Sequence, residues 1–285
     1  MAAPDKGAED GMDDRLAQAA AGGLVLLGCG KMGGAMLEGW LAAGLPPQAV
    51  TIIEPSPSDA VRALTARGVR HAAAAPASAA VVVLAVKPQV MAGALPTVAG
   101  LAGPSTLFLS IAAGKPLSFF EAALGAATPI VRAMPNTPAA VGRGITALIG
   151  NAAAAGRLPL AEALCAAVGE TVRLEREDQM DAVTAVSGSG PAYVFHLIEA
   201  LAAAGEAEGL SPELSMRLAR ATVSGSGELA HVSAEPASAL RQAVTSPGGT
   251  TAAGLALMMD AGTGLGPLMR RVVAAAAARS RELAG

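Results

Sequence analysis

Three glycines in the run Gly28-Cys29-Gly30-Lys31-Met32-Gly33 constrain this chain more than any other feature. They directly follow residues 24–27, a short apolar run with the character of a buried strand, and they open a stretch that reads as a helix. In a G-x-G-x-x-G turn from strand to helix, the first glycine permits the tight bend. The second lets a pyrophosphate approach the backbone, and the third lets the helix pack on the sheet. Unpaired N–H groups and the macrodipole at the start of the helix then favour the phosphates. A tight turn in a glycine-rich chain would explain the glycines alone. Strand, turn and amphipathic helix in that order favour a dinucleotide, lined by Leu27, Gly28, Cys29, Gly30, Lys31, Met32 and Gly33.

Further apolar runs at 50–54, 81–86, 106–112 and 130–132 are strand candidates, separated by Ala-rich segments suited to helices. Strands alternating with helices imply a parallel sheet covered on both faces. Ligands of such a sheet bind beyond the carboxyl ends of its strands. Glu54 ends the second run, where an acid ordinarily holds the adenosine ribose hydroxyls. A carboxylate there leans toward NAD, because it repels the extra phosphate of NADP. Ser56 and Ser58 offer hydroxyls to a phosphate, and the first arginine beyond them is Arg62, so these residues leave the choice open. Ala85, Val86, Lys87 and Pro88 occupy the end of a later run, where Lys87 suits a pyrophosphate or simply flanks a buried strand. Ala112-Ala113-Gly114 ends the next one.

After about Glu177 the pattern becomes almost wholly helical, with turn signals at 187–191, 209–212, 246–249 and 262–267. Val194, Leu197, Ile198 and Leu201 recur at i, i+3, i+4 and i+7, which puts one apolar stripe on the helix after Pro191. The expected fold class is therefore α/β: a Rossmann-type dinucleotide-binding domain over 22–177, then an all-helical domain over 178–285. Residues 1–21, polar and acidic, read as a flexible extension.

Composition narrows the function classes. Hydrophobic residues make up 52% of the 285, but aromatics only 2%, so small aliphatic side chains must build a closely packed, layered interior. A net charge of -3 without any arginine-rich run argues against nucleic acid. His71, His196, His231, Cys29 and Cys165 fall at neither metal-ligand nor disulfide-framework spacings, so no metal is expected. Residues 88–114 are uncharged and long enough to cross a bilayer. Pro88, Pro96 and Pro104, with Gly93, Gly100 and Gly103, break them into helix, turn and buried strand. Without an apolar leader region, the N-terminus does not read as a signal peptide. The expectation is a cytoplasmic protein with no membrane or nucleic-acid partner.

Thr245-Ser246-Pro247-Gly248-Gly249-Thr250-Thr251 precedes a helical stretch over 252–260, with Ser246 a natural N-cap and Pro247 in the first turn. Gly248 and Gly249 leave N–H groups uncovered, and Thr250 and Thr251 add hydroxyls, a combination suited to a small carboxylate. An ordinary capped helix needs no such cluster. Ser187-Gly188-Ser189-Gly190-Pro191 reads as close helix packing. No nucleophile elbow or catalytic carboxylate pair stands out. Hydride transfer fits that absence, because the cofactor carries the chemistry and the protein supplies geometry.

Taken in order, these motifs resemble those of the pyrroline-5-carboxylate reductase family. They are the Gly28 fingerprint, L-A-V-K-P-Q at 84–89, residues 110–114 and M-P-N-T-P at 134–138. D-A-V-T-A-V-S-G-S-G-P-A-Y-V-F at 181–195, V-T-S-P-G-G-T-T-A-A-G at 244–254 and R-S-R-E-L at 279–283 complete the match. The resemblance implies NADPH- or NADH-dependent reduction of 1-pyrroline-5-carboxylate to L-proline, the last step of proline biosynthesis. It implies that Thr251 is catalytic and hydrogen-bonds the substrate nitrogen. Ser246, Gly248, Gly249 and Thr250 would hold the carboxylate, and Glu177 would be a substrate-side acid. Ser56, Lys87 and Ala113 match cofactor contacts. It further implies a homodimer through the C-terminal helical domain, with larger assemblies such as a decameric ring of dimers, and a site completed across subunits.

The chain departs from the family at Glu54-Pro55, where many relatives carry small polar or basic residues. Ala72 and Ala243 stand where some relatives place an asparagine, so those contacts are not transferred. Two other readings compete. A related 2-hydroxyacid oxidoreductase would usually need a lysine in its helical domain, and Lys115 is the last lysine here. A non-catalytic nucleotide sensor would not need the intact 246–251 loop.

Overall fold

A computed structural model describes residues 14–284 of the chain. The apolar runs become strands buried on both faces: β1 (Leu24–Leu27), β2 (Val50–Ile53), β4 (Val81–Leu84) and β5 (Leu107–Ser110) each hold four consecutive buried residues. β3 (Arg70–Ala72), β6 (Ile130–Met134), β7 (Gly144–Gly150) and β8 (Gly169–Arg173) complete an eight-stranded sheet among the described residues, in the order β3-β2-β1-β4-β5-β6-β7-β8.

Every neighbouring pair is parallel except β6 and β7, which run antiparallel. Three of these strands, β3, β7 and β8, fall outside the apolar runs read from the sequence. β3 and β8 are the sheet's edges and expose most of their side chains, so burial leaves little mark on their sequence. The reversal into β7 is made by Met134-Pro135-Asn136-Thr137-Pro138. Asn136 is buried, and its Oδ1 accepts the Ile145 N–H at 2.9 Å, which pins the start of the returning strand.

Alternation along β1 separates two cores. Leu24 and Leu26 face α1 (Asp14–Gly22), α2 (Lys31–Ala42), α3 (Asp59–Ala66) and α7 (Leu158–Ala166). Val25 and Leu27 face α4 (Met91–Ala94), α5 (Pro96–Ala99) and α6 (Leu117–Leu124). Trp40 is fully buried in the first core and ties α2 to α7 by donating from Nε1 to the Leu164 carbonyl at 2.7 Å. Each Leu, Val or Phe buried here contributes about 1.5–3 kcal/mol.

The N-terminal segment corrects one expectation. Residues 14–21 are not a loose extension but belong to α1, because Leu16 and Ala19 have an apolar face to bury and do so against the first core. Residues 1–13 lie outside the described residues.

The chain forms two compact units. The first runs through Gly188 and takes up the chain again from Arg279, and the second spans Ser189–Ala278. The division falls later than residue 177 because α8 (Met180–Val183) and the π-helical turn Thr184–Gly188 stay with the sheet, where Met180 and Ala185 are buried. Ser280 returns to the same place and donates its hydroxyl to Asp181 Oδ1 at 2.6 Å.

The second unit comprises α9 (Gly190–Ala207), α10 (Pro212–Val232), α11 (Ala237–Ala243), α12 (Thr250–Met258) and the larger part of α13 (Leu265–Ala284). Small residues allow α9 and α10 to meet. Ala202, Ser215 and Ala219 are buried, and a Cβ on Gly205 would lie 3.0 Å from Ser215 Oγ. The apolar stripe of α9 is present, but Val194, Leu197 and Leu201 remain more than two-fifths exposed in the single chain.

Candidate active site

The three glycines of the first turn play three different parts. Gly28 has φ +83°, and a Cβ there would lie 2.7 Å from Val86 Cγ1 and 3.1 Å from the Val86 nitrogen. Both the backbone and the space require glycine. Gly33 has an ordinary backbone, but its Cβ would come within 3.1 Å of Ala85 Cβ, so glycine lets α2 lie against the end of β4. Gly30 has nothing within 4 Å and is the N-cap of α2, with no side chain capping the helix. The first N–H groups of α2 thus lack intrahelical partners beside open space, the arrangement an anionic ligand requires. The turn is fastened between its neighbours by Gly28 N–H to the Ile53 carbonyl at 2.9 Å and Ala85 N–H to the Leu27 carbonyl at 2.8 Å.

A cavity of about 790 Å3 opens over this turn. Leu27, Gly28 and Gly30 line it from β1, Glu54 and Pro55 from β2, and Ala85, Val86 and Lys87 from β4. That volume and the mostly apolar wall suit a bound cofactor. Ala73 and Thr97 also line it and escaped the sequence reading, and Ala72, whose contact was not transferred, and Gln89 of the 84–89 motif line it too. Only their places after β3 and beyond β4 mark Ala73 and Thr97, and the exposed edge strand β3 had left no signal.

Of the remaining expected cofactor residues, Gly33 lies behind the turn, and Met32 packs against the first core. Lys31 lines a separate groove along α2. Ser56 is exposed, Pro88 starts a short 3-10 turn, and Ala113 lies in the loop after β5. Cys29 turns its side chain inward, and its thiol is pushed up to about 11, first by burial and then by the charges of Glu54 and Glu38. Its backbone N–H points the other way, to Glu54 Oε2 at 3.3 Å. Glu54 Oε1 accepts the Ser56 N–H at 3.4 Å.

Glu177, expected as a substrate-side acid, has a partner on β6 that the sequence reading did not name. Glu177 forms an ion pair with Arg132, and its Oε1 also accepts the Leu117 N–H at 2.7 Å at the start of α6. Arg132 is buried in the middle of a strand. A guanidinium in an apolar run is costly unless paired, and that signal could have found it in I-V-R-A-M.

In the second unit the 246–251 loop differs from expectation in one respect. Ser246 is not the N-cap: α12 begins at Thr250 with Gly249 as its N-cap and no side-chain capping bond. The reason is Gly248, whose φ of +71° no helical residue can adopt. Ser246-Pro247-Gly248-Gly249 instead makes a turn closed by Gly249 N–H to the Ser246 carbonyl at 3.0 Å, with the residue pattern of type II. Thr250 and Thr251 therefore occupy the first helical positions, exposed along with the Ser246 side chain. Uncapped N–H groups and three hydroxyls gather at one helix start.

No group of three or more His, Cys, Asp or Glu positioned for a metal ion occurs among the described residues. No helix among them is long and apolar enough to cross a membrane.

Sheet, glycine turn and cavity define the class: an α/β dinucleotide-binding protein of Rossmann type with a helical second part. Residues 23–114 match the family model described as NADP oxidoreductase coenzyme F420-dependent, and residues 177–283 match that for pyrroline-5-carboxylate reductase dimerisation. The chain is 40% identical to a pyrroline-5-carboxylate reductase of Pseudomonas aeruginosa, over 92% of its own length and 96% of the relative's. Among solved structures it is similar to a pyrroline-5-carboxylate reductase from Coxiella burnetii, with TM-score 0.86, 34% identity, and 93% and 99% of the two chains covered. It is also similar to a pyrroline carboxylate reductase from Plasmodium falciparum with NADP bound, with TM-score 0.79, 29% identity, and 93% and 99% covered. This chain belongs to the pyrroline-5-carboxylate reductase family.

Proposed function

We propose that the protein reduces 1-pyrroline-5-carboxylate to L-proline with NADPH or NADH. The observation that carries this reading is the end-to-end likeness to the Pseudomonas reductase, which spans both the sheet unit and the helical unit. When bound over the glycine turn, the nicotinamide cofactor supplies the hydride that reduces the C=N carbon, while the nitrogen gains a proton. The chain's own residues bind and orient. N–H groups at the start of α2 hold the pyrophosphate, and Lys87 adds positive charge at the rim of the same cavity.

In the helical unit, the N–H groups of Gly248, Gly249 and Thr250 with the Ser246 hydroxyl hold the substrate carboxylate. The Thr251 hydroxyl orients the imine nitrogen as it takes up its proton. Glu177, fixed by Arg132, contributes a negative charge on the substrate side. A protonated imine is already electrophilic, so positioning rather than strong acid catalysis is what the protein must provide.

In this reading the sheet unit is the dinucleotide domain, and the helical unit carries substrate binding and dimerisation. The exposed apolar residues of α9 and α12 support a homodimer through the helical part; this reading further places the protein in the cytoplasm, with a decameric ring of dimers as its larger assembly. Mixing purified protein with 1-pyrroline-5-carboxylate and reduced cofactor tests the activity. The expected result is loss of the reduced nicotinamide band with proline formed in equal amount. No proline with either cofactor would end the proposal.

A further inference from the structure

We propose that this chain selects NADH over NADPH, and that Glu54 is the residue that decides it. The inference rests on the cofactor class proposed above and names which member the adenosine end accepts.

Glu54 stands at the end of β2 and lines the cavity. Its carboxylate is fixed from two sides, by the Cys29 N–H at 3.3 Å and the Ser56 N–H at 3.4 Å. These are two of the roughly four acceptor positions of a carboxylate, so others stay open for a vicinal diol. A diol that donates to an anchored carboxylate is favoured, and a phosphate on the same ribose meets like charge instead.

The cations near this end of the cavity are engaged elsewhere, and the exposed Ser56 hydroxyl is neutral and does not cancel the Glu54 charge. Arg62 is the one cation between residues 54 and 62. It pairs with Asp59 and donates to the Pro57 carbonyl at 2.6 Å. With Glu54 and Asp59 against Arg62, that stretch carries a net charge of -1. Ser58 caps α3, its oxygen accepting the Val61 N–H at 3.3 Å, and like Ser56 it brings no positive charge to offset Glu54. His71 is held by its Nε2 at 2.8 Å from the Glu54 carbonyl oxygen. Arg70 lines a different cavity, at the amino ends of the strands with Leu24 and Ala49. Arg67 is bound to both carboxylate oxygens of Glu38. Lys87 follows β4, which β1 separates from β2 in the sheet, so its charge belongs to the other side of the glycine turn.

The test is equilibrium binding of NADH and of NADPH to the full chain, read by nicotinamide fluorescence in the absence of imino acid. NADH is expected to bind about tenfold more tightly or better. Glu54→Gln, which keeps the side chain's shape and an acceptor, should weaken NADH and tighten NADPH until the two lie within about threefold. Asp59→Asn removes the partner of Arg62 on an exposed surface. It should tighten NADPH several-fold and leave NADH unchanged, which keeps the proposal testable if the Glu54 variant unfolds. NADPH binding as tightly as NADH to the unaltered chain, or a preference that neither variant moves, would overturn it. NADH binding without proline formation would instead sink the proposed reaction and leave this inference standing.

Discussion

The two units solve opposite problems. The sheet unit completely buries Trp40, Phe108 and Phe120 within its own chain. The helical unit leaves Phe195 59%, Leu257 78% and Met259 59% exposed, and the residues it buries between α9 and α10 are small. The first has a core that one chain can close. The second has helices whose apolar faces need another surface, so its stability is tied to assembly and to concentration.

Trp40 is the chain's single tryptophan and sits in the sheet unit, so its fluorescence follows that unit alone. Phe108→Ala should destabilise the sheet unit by about 3–5 kcal/mol, seen as a Trp40 transition at much lower urea. Leu257→Ala should leave that transition in place and raise the protein concentration at which the oligomer dissociates, measured by sedimentation. If both variants moved the Trp40 transition equally, the contrast between the units would be wrong.

A smaller effect is expected at the ion pair. Arg132→Met leaves Glu177 without its partner and should cost about 2–3 kcal/mol, less than a fully buried pair because Glu177 is partly exposed. Combining it with Glu177→Gln should cost less than the sum of the two in a urea melt. Additive losses would mean that the two side chains do not act together.

In the helical unit the corresponding change is chemical. Thr251→Ala should lower turnover about 10–100-fold, with nucleotide binding and the Trp40 transition both unchanged. Unaltered proline formation would remove Thr251 from the mechanism.

The thiols give the smallest effect, invisible at neutral pH. Burial pushes Cys165 up to about 12, and burial with the Glu54 and Glu38 charges pushes Cys29 up to about 11, both from 9.0. A folded-state value above the unfolded one means that stability is fully present below pH 9.0 and is lost as pH rises toward 11 and 12. Native protein at pH about 8 should therefore resist a thiol reagent until denatured. Rapid modification of either cysteine in the native state would contradict the burial.

Legibility in the sequence follows burial and glycine. Strands β1, β2, β4, β5 and β6, the first turn and the switch to helices after Glu177 were readable, because two-faced burial forces continuous apolar runs and a tight turn forces glycine; the interior strand β7 was not. Residues 24–27 match β1 without adjustment. The edge strands β3 and β8 were not readable, since solvent accepts almost any side chain there.

The sequence by itself determined the class of fold, the glycine turn and the family, for these depend on local patterns of apolar residues, glycines and short motifs. Only the tertiary structure decided that residues 14–21 join a helix, that Arg132 meets Glu177 across 45 positions, and that the Glu54 carboxylate is anchored to the Cys29 N–H. Those outcomes depend on which groups meet after the chain has folded, and partners far apart in sequence leave no local pattern to announce them.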